Sequence, residues 1–473
     1  MPGRAAPPIR WALAGLSLSM VLSSLGTSVA NVALPTLEEA FGASFGEVQW
    51  VVLAYLLAVT TLVVSAGRLG DLVGRRPLLV AGIATFTLAS ALCAAAPALW
   101  VLVGARALQG LGAALMMALT LAFAAETVPR ARTGSAIGLL GSMSATGTAL
   151  GPSLGGVLVA GLGWRAIFLL NVPLGLLALR LAHRHLPADR RRRDAARPPF
   201  DLLGTLLLAL TLGAYALAMT IENGRLGPLG AALLVAAIGA AGLLVLAERR
   251  AEAPLIGAGM LREAGLGGAL VASGLVSTVM MATLVVGPFY LARALGLGPA
   301  VVGLVMSAGP AVVALSGVPA GRVADRVGAR RLTVAGLAVM AGGAALLSVA
   351  PTRLGVPGYL GPMVVVTLGY AMFQTANTTA VLADAPPEGR GVVSGMLNLS
   401  RNLGLVTGAS AMGAAFTLAT GRTNVASAPA GAVATGMRVT FAVAAMLLAV
   451  ALAVAAASRR RARGPGRPEP SRI

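Results

Sequence analysis

The sequence predicts an all-α polytopic membrane protein, and three observations predict it. Apolar residues make up 57% of the 473 positions and charged residues only 11%, against about 25% charged in ordinary soluble domains. Too few charges remain to solvate a water-facing surface, whereas lipid asks for none. The apolar residues gather in repeated runs of span length, and the arginines fall between those runs, favouring alternate gaps. Glycine is abundant as well, at 61 residues, which suits helices that pack closely inside a membrane.

Runs of about 17–25 apolar residues mark fourteen spans, near 11–34, 48–66, 78–96, 99–121, 134–159, 165–182, 201–221, 229–247, 265–290, 298–320, 332–350, 358–382, 391–418 and 436–457. The first follows Arg4 and Arg10 and exceeds the roughly 7–15-residue core of a secretory signal, so it reads as a retained helix. The next five complete a six-helix half over 1–182. The stretch 183–200, with Arg190, Arg191, Arg192 and Arg193, reads as a basic cytoplasmic linker that touches anionic lipid. Two further spans occupy 201–250; the total drops to twelve or thirteen if either lies in the interface. A second six-helix half covers 251–457. The basic, proline-rich tail, 458–473, is expected to be disordered.

The arginines test this count. Twenty-eight fall on the side of the termini, six on the other, and Arg106 and Arg401 lie inside spans. The positive-inside rule then puts both termini in the cytoplasm of an inner-membrane protein. Trp11, Trp50, Trp100 and Trp164 fall at span ends, where amphipathic rings favour the headgroup layer. A formal charge of +20 does not imply nucleic acid, because the cations are dispersed in short clusters. Cys93 is the single cysteine, so an intramolecular disulfide and a cysteine-ligated metal site are excluded. His183 and His185 sit in a basic loop, and no metal or other cofactor is expected. No nucleophile–base pair points to an enzyme.

Two stretches repeat across the chain. Gly67-Arg68-Leu69-Gly70-Asp71-Leu72-Val73-Gly74-Arg75-Arg76 follows the second span, and Gly321-Arg322-Val323-Ala324-Asp325-Arg326-Val327-Gly328-Ala329-Arg330 follows the tenth. Gly138, Gly147 and Gly151 match Gly395, Gly404 and Gly408 in spacing. Repeated halves around a central site are typical of secondary transporters. Further motifs are Arg106-Ala107-Leu108-Gln109-Gly110-Leu111-Gly112, the set Gly138, Gly147, Gly151, Pro152, Gly155 and Gly156, and Trp164-Arg165 with Phe168, Asn171 and Pro173.

In this order the motifs resemble the major facilitator superfamily, in its fourteen-helix drug:proton antiporter branch (the EmrB/QacA-type transporters), over nearly the whole chain. The resemblance implies a major facilitator fold and export of small amphiphilic molecules by alternating access, driven by the proton gradient. It implies that the Gly67–Arg76 stretch is a conformational latch between helices two and three, built on Gly67, Arg68, Asp71, Gly74, Arg75 and Arg76, with Asp325 its second-half counterpart. It also implies that the helix-five glycines and Pro152 form the antiporter motif, a bend and seal that favour export.

The residues themselves support part of this. Asp71 at a helix end can accept from a neighbouring helix N-terminus. Gly147, Gly151 and Gly155 share one helix face, and Pro152 cannot donate its helical hydrogen bond. Arg106 and Arg401 are too costly to face lipid, at about 2.5–3.5 kcal/mol each at the bilayer centre. Polar stripes recur at spacings of three and four: Ser24, Ser28 and Asn31; Tyr370, Gln374, Asn377 and Thr378; Ser394, Asn398 and Arg401. Together with Gln109 these are the candidates for a central cavity, the remainder being helix–helix hydrogen bonds. The family's first-helix motif usually carries aspartate where Gly26 stands, and no acid is expected deep in any span. Neutral or anionic amphiphiles are therefore the expected substrates, and a monomer the expected state. A facilitator or uptake carrier without proton coupling, and a non-transporting sensor or scaffold, are the alternatives.

Overall fold

The computed structural model describes residues 9–127, 133–186, 202–221, 227–250, 265–384, 390–422, 425 and 427–462. These fold into helices only. The first half comprises α1 (Ile9–Phe41), α2 (Phe45–Val73), α3 (Arg75–Ala95), α4 (Leu99–Thr127), α5 (Thr133–Leu162) and a sixth pass split into α6 (Ala166–Leu169) and α7 (Asn171–His185). Then come α8 (Leu202–Thr220) and α9 (Pro228–Arg250). The second half comprises α10 (Leu266–Phe289), α11 (Pro299–Val327), α12 (Ala329–Val349), α13 (Gly355–Asp384), a pass formed by α14 (Arg390–Thr407) and α15 (Gly413–Thr420), and α16 (Ala430–Ala462). Among the described residues, thirteen helices are long and apolar enough to cross a membrane, and α5 adds a shorter apolar stretch, Thr146–Leu162. Fourteen passes return the chain to the end where it began. That end is called proximal below, and the opposite end distal.

Several ends differ from the sequence reading. The first helix runs to Phe41 rather than 34, because its distal turn is completed by Gly42 at φ 58°. Glu38 and Glu39 therefore lie inside it. A capping box starts α2: Glu47 N–H donates to Ser44 Oγ at 3.3 Å, and Ser44 N–H donates to Glu47 Oε2 at 2.8 Å. The final helix continues through Ser458 to Ala462, shortening the tail, and α7 carries the start of the basic linker to His185. The linker's remainder, 187–200, and residues 463–473 lie outside the described residues.

The repeat is exact enough to superpose local features. The motif expected as a loop is the last turns of α2, and the reversal is made by Gly74 alone at φ 109°; Gly328 does the same at φ 92°. A side chain rarely adopts either angle. Both following helices, α3 and α12, have 21 residues. In the first half Gly82 and Gly112 bring α3 and α4 together: a Cβ at Gly112 would meet the Gly82 carbonyl at 2.7 Å. Gly336 and Gly369 repeat that contact between α12 and α13, again at 2.7 Å. The α8–α9 hairpin rests beside α2 and α14. Thr220 accepts from Trp50 Nε1 at 3.1 Å, Ser65 and Thr205 hydroxyls meet at 2.7 Å, and Leu208, Leu212 and Leu244 cluster with Leu57 and Leu399.

Candidate transport pathway and its closed end

The two halves meet at the distal end. Phe45 of α2 stacks edge-on with Phe289 of α10 at 4.7 Å and lies 5.3 Å from Phe416 of α15. Glu38, only 1% exposed, accepts the Val425 N–H through Oε1 at 2.8 Å. Arg293, just past α10, pairs with Glu39. Gln49 fills the space that a Cβ at Gly413 would need. Between α5 and α11, a Cβ at Gly156 would meet Gly303 Cα at 2.8 Å. Each of these contacts joins one half to the other. The distal side is shut.

Helix five is glycine-lined because α1, side chains and backbone alike, lies directly against it. A Cβ at Gly147 would sit 3.0 Å from Ser24 Cβ, one at Gly151 would sit 2.8 Å from Ser28 Cβ, and one at Gly155 would meet Val29 Cγ2 at 3.0 Å. Ser24 and Ser144 share a hydroxyl hydrogen bond at 2.7 Å. Ser24 and Ser28, expected among the cavity candidates, are therefore buried in the α1–α5 seam. Asn31 is buried too; its Nδ2 donates to the Thr27 carbonyl at 3.1 Å. The equivalent second-half glycines pack on α10, Gly404 against Ser277 Cβ at 2.7 Å and Gly408 against Met281 Cβ at 2.6 Å. There the symmetry breaks. The first-half helix runs through Pro152 without interruption, whereas Gly408–Met412, where Ala409 replaces that proline, forms a π-helical turn. Gly138 lies in α5, with its surroundings outside the described residues.

Arg106 is enclosed in the first half rather than facing an open cavity. Its side chain is fully buried. Nε donates to the Val51 carbonyl at 2.8 Å, Nη2 to the Gly26 carbonyl at 3.0 Å, and Nη1 to Gln109 Oε1. Gln109 donates in turn to Ser90 Oγ at 2.7 Å. The guanidinium lies 4.2 Å from the Tyr55 ring centroid, and the Tyr55 hydroxyl donates to the Ser23 carbonyl at 2.7 Å. Carbonyl dipoles and an aromatic face thus hold the cation without a carboxylate. A desolvated cation–π contact alone contributes about 2 kcal/mol. Residues of α1, α2 and α4 meet on this one side chain, and α3 joins them through Ser90.

The polar residues of the second half are placed differently. Tyr370 and Gln374 on α13 are partly exposed and Asn377 is buried, its Nδ2 donating to the Ala269 carbonyl at 3.4 Å. Asn398 on α14 is exposed, and Arg401 and Asn402 are partly exposed. On one side of this polar face α14 packs on α10 through Ser400, which donates to the Leu270 carbonyl at 2.5 Å, and through Gly404. On another side Leu399 clusters with Leu57 of α2 and with the α8–α9 hairpin. The polar face, Asn398, Arg401 and Asn402, lies between these two contacts and takes no part in either.

Of the latch residues, Gly67, Arg68 and Asp71 fall in the last turns of α2, with side chains outside the described residues. Arg75 and Arg76 open α3, and Arg76 donates to the His183 carbonyl at 2.5 Å, tying α3 to α7. Asp325 is exposed near the proximal end of α11. Trp164, expected in the headgroup layer, is 6% exposed and packs on Phe41 at 5.3 Å. Sequence reading missed Glu38 because its apolar window ended four residues too early. The signal that would have found it is the helix-compatible run from Pro35 to Phe41, closed by Gly42.

Comparison with known proteins agrees with this geometry. The family model described as Major Facilitator Superfamily matches residues 16–409. The multidrug resistance protein Stp of Mycobacterium tuberculosis is 33% identical over 84% of this chain and 74% of its own length. The multidrug efflux pump LfrA of Mycolicibacterium smegmatis is 32% identical over 90% of this chain and 84% of its own length. The riboflavin transporter RibZ of Clostridioides difficile is 28% identical over 83% of this chain and 85% of its own length. Among solved structures, a bacterial homologue of the human lysosomal transporter Spinster shares the fold, with a TM-score of 0.71 and 15% identity over 97% of this chain and 98% of that one. Fold, repeat and relatives together place the chain in the Major Facilitator Superfamily, as a multi-pass membrane transporter and not an enzyme.

Proposed function

We propose that this transporter exports small amphiphilic molecules, neutral or anionic, by alternating access, as a monomer in the inner membrane with both termini cytoplasmic. The observation that carries the reading is the distal seal: the halves touch through Glu38–Val425, Phe45–Phe289 and Gly156–Gly303, while Asn398, Arg401 and Asn402 on α14 stay at least partly exposed. One seal that can part, over a polar interior, is what alternating access requires. The relatives named for multidrug resistance and efflux support the direction of transport. Proton antiport is the proposed driving force.

A second reading, a proton-independent facilitator or uptake carrier, is favoured by Gly26 in place of the usual aspartate and by the likeness to a protein named for riboflavin transport. Proton movement in inverted vesicles separates the two. Substrate-dependent alkalinisation of an acidified lumen supports antiport. Substrate entry without proton movement removes it, and no substrate movement at all overturns transport of this substrate class.

A further inference from the structure

We propose that Arg401 on α14 is the anion-recognising group of the central cavity, taking the carboxylate of an amphiphile whose apolar body points toward the distal end. The proposal rests on the reading of this chain as a carrier of amphiphiles and names the group that selects them.

The sequence singles out Arg106 and Arg401, and the structure separates them. Arg106 has each of its three nitrogens donating to an acceptor and a ring against its face, so nothing further can approach it. Arg401 is partly exposed, and among the described residues it has no hydrogen bond or ion pair. A guanidinium within a span and without a partner is costly, and a ligand anion is the partner its planar fork fits best, by two parallel hydrogen bonds.

The surroundings set the class of ligand. Among the described side chains, the carboxylates are Glu38, Glu39 and Glu47 at the distal end and Asp325 at the proximal end. None is at the level of Arg401, which a rise of 1.5 Å per residue puts about 16 Å from the proximal start of α14. Gln374 on α13 lies at nearly the same level, about 15 Å from its proximal end, and Asn398 and Asn402 flank Arg401 on the same face. These supply further donors to an anionic head. One turn toward the distal end come Leu405 and Tyr370, both partly buried against the apolar core. Head and body thus have separate walls, which suits an amphiphilic monoanion and not a small inorganic ion.

The test uses 1-pyrenebutyrate and its methyl ester with the purified full-length chain, by fluorescence binding in neutral detergent and by counterflow in phosphatidylcholine proteoliposomes. The wild type is expected to bind the acid at least tenfold more tightly than the ester. Arg401→Gln should remove that preference and leave ester binding within twofold, and Arg401→Lys should keep part of it. Acid binding unchanged in Arg401→Gln overturns the proposal, as does equal binding of acid and ester by the wild type. If Arg401 governs competition by phosphatidylglycerol but not binding of the acid, the site serves lipid and the proposal is overturned. Selective binding without counterflow would support recognition by Arg401 and remove the transport reading, so the two failures are distinguishable.

Discussion

Glu38 and Val425 are 387 residues apart in the chain, and a 2.8 Å hydrogen bond from the Val425 N–H to Glu38 Oε1 joins them across the two halves. The bond ties the distal turn of α1 to the loop before α16. A buried acceptor of this kind is lost at the cost of leaving the N–H unpaired, about 1–3 kcal/mol. Glu38→Ala should therefore raise the fraction of molecules open at the distal end. Glu38→Gln keeps an acceptor oxygen and should do so much less. Labelling of Val32→Cys by an impermeant maleimide, in a Cys93→Ser background, measures this from the distal side. Equal labelling in wild type and Glu38→Ala would remove Glu38 from the seal.

Gly156 and Gly303 let the backbones of α5 and α11 approach closely. A Cβ at Gly156 would meet the Pro299 carbonyl at 2.5 Å and Gly303 Cα at 2.8 Å. Neither is a flexible side chain, so Gly156→Ala must push the helices apart, at about 1–3 kcal/mol. The expected result is slower transport and greater distal labelling with normal membrane insertion. Gly104→Ala, where a Cβ meets nothing within 4 Å, is the matched control and should behave as wild type.

Arg106 organises the first half, so its loss should act on stability before it acts on selectivity. Arg106→Lys cannot keep the bonds to Val51, Gly26 and Gln109 together, nor the flat approach to Tyr55. Loss of one hydrogen bond to a charged group costs about 1.5–3 kcal/mol. Thermal unfolding in detergent should shift down by several degrees while the ratio of acid to ester binding is preserved. A changed ratio at unchanged stability would return Arg106 to the substrate path. Gly26→Asp tests the same site from the other side. Its Cβ would sit 3.1 Å from the Tyr55 hydroxyl, and a carboxylate there should neutralise Arg106, steepening the pH dependence of transport and favouring cations.

Asp71→Asn removes a charge from the proximal end of α2 and no packing volume. If this end closes when the distal end opens, the variant should insert normally and transport poorly, measured as dye counterflow at matched protein levels. Asp325→Asn, at the repeated position, should show a smaller defect of the same kind. Full activity of both would reduce the motif to a helix reversal.

The sequence by itself determined the all-helical membrane fold and the approximate number of its spans. Lipid requires long apolar helices and the chain must reverse between them, so composition, Gly74 and Gly328 suffice. It also located Arg106 and Arg401 within spans, but as equals. Only the tertiary structure separated them, because a hydropathy window reads depth and not rotation about the helix axis. One arginine turns into a closed half, among Val51, Gly26 and Tyr55; the other stays partly exposed, with no hydrogen bond or ion pair among the described residues. The same limit explains Ser24 and Ser28, whose stripe fits a cavity or a seam and lies in the seam with α5. Glu38 is the sharpest case. In the chain it is one of two acids beside a glycine, indistinguishable from its solvated neighbour Glu39. What buries it is a loop 387 residues away, brought there by the way the two halves lean together at the distal end.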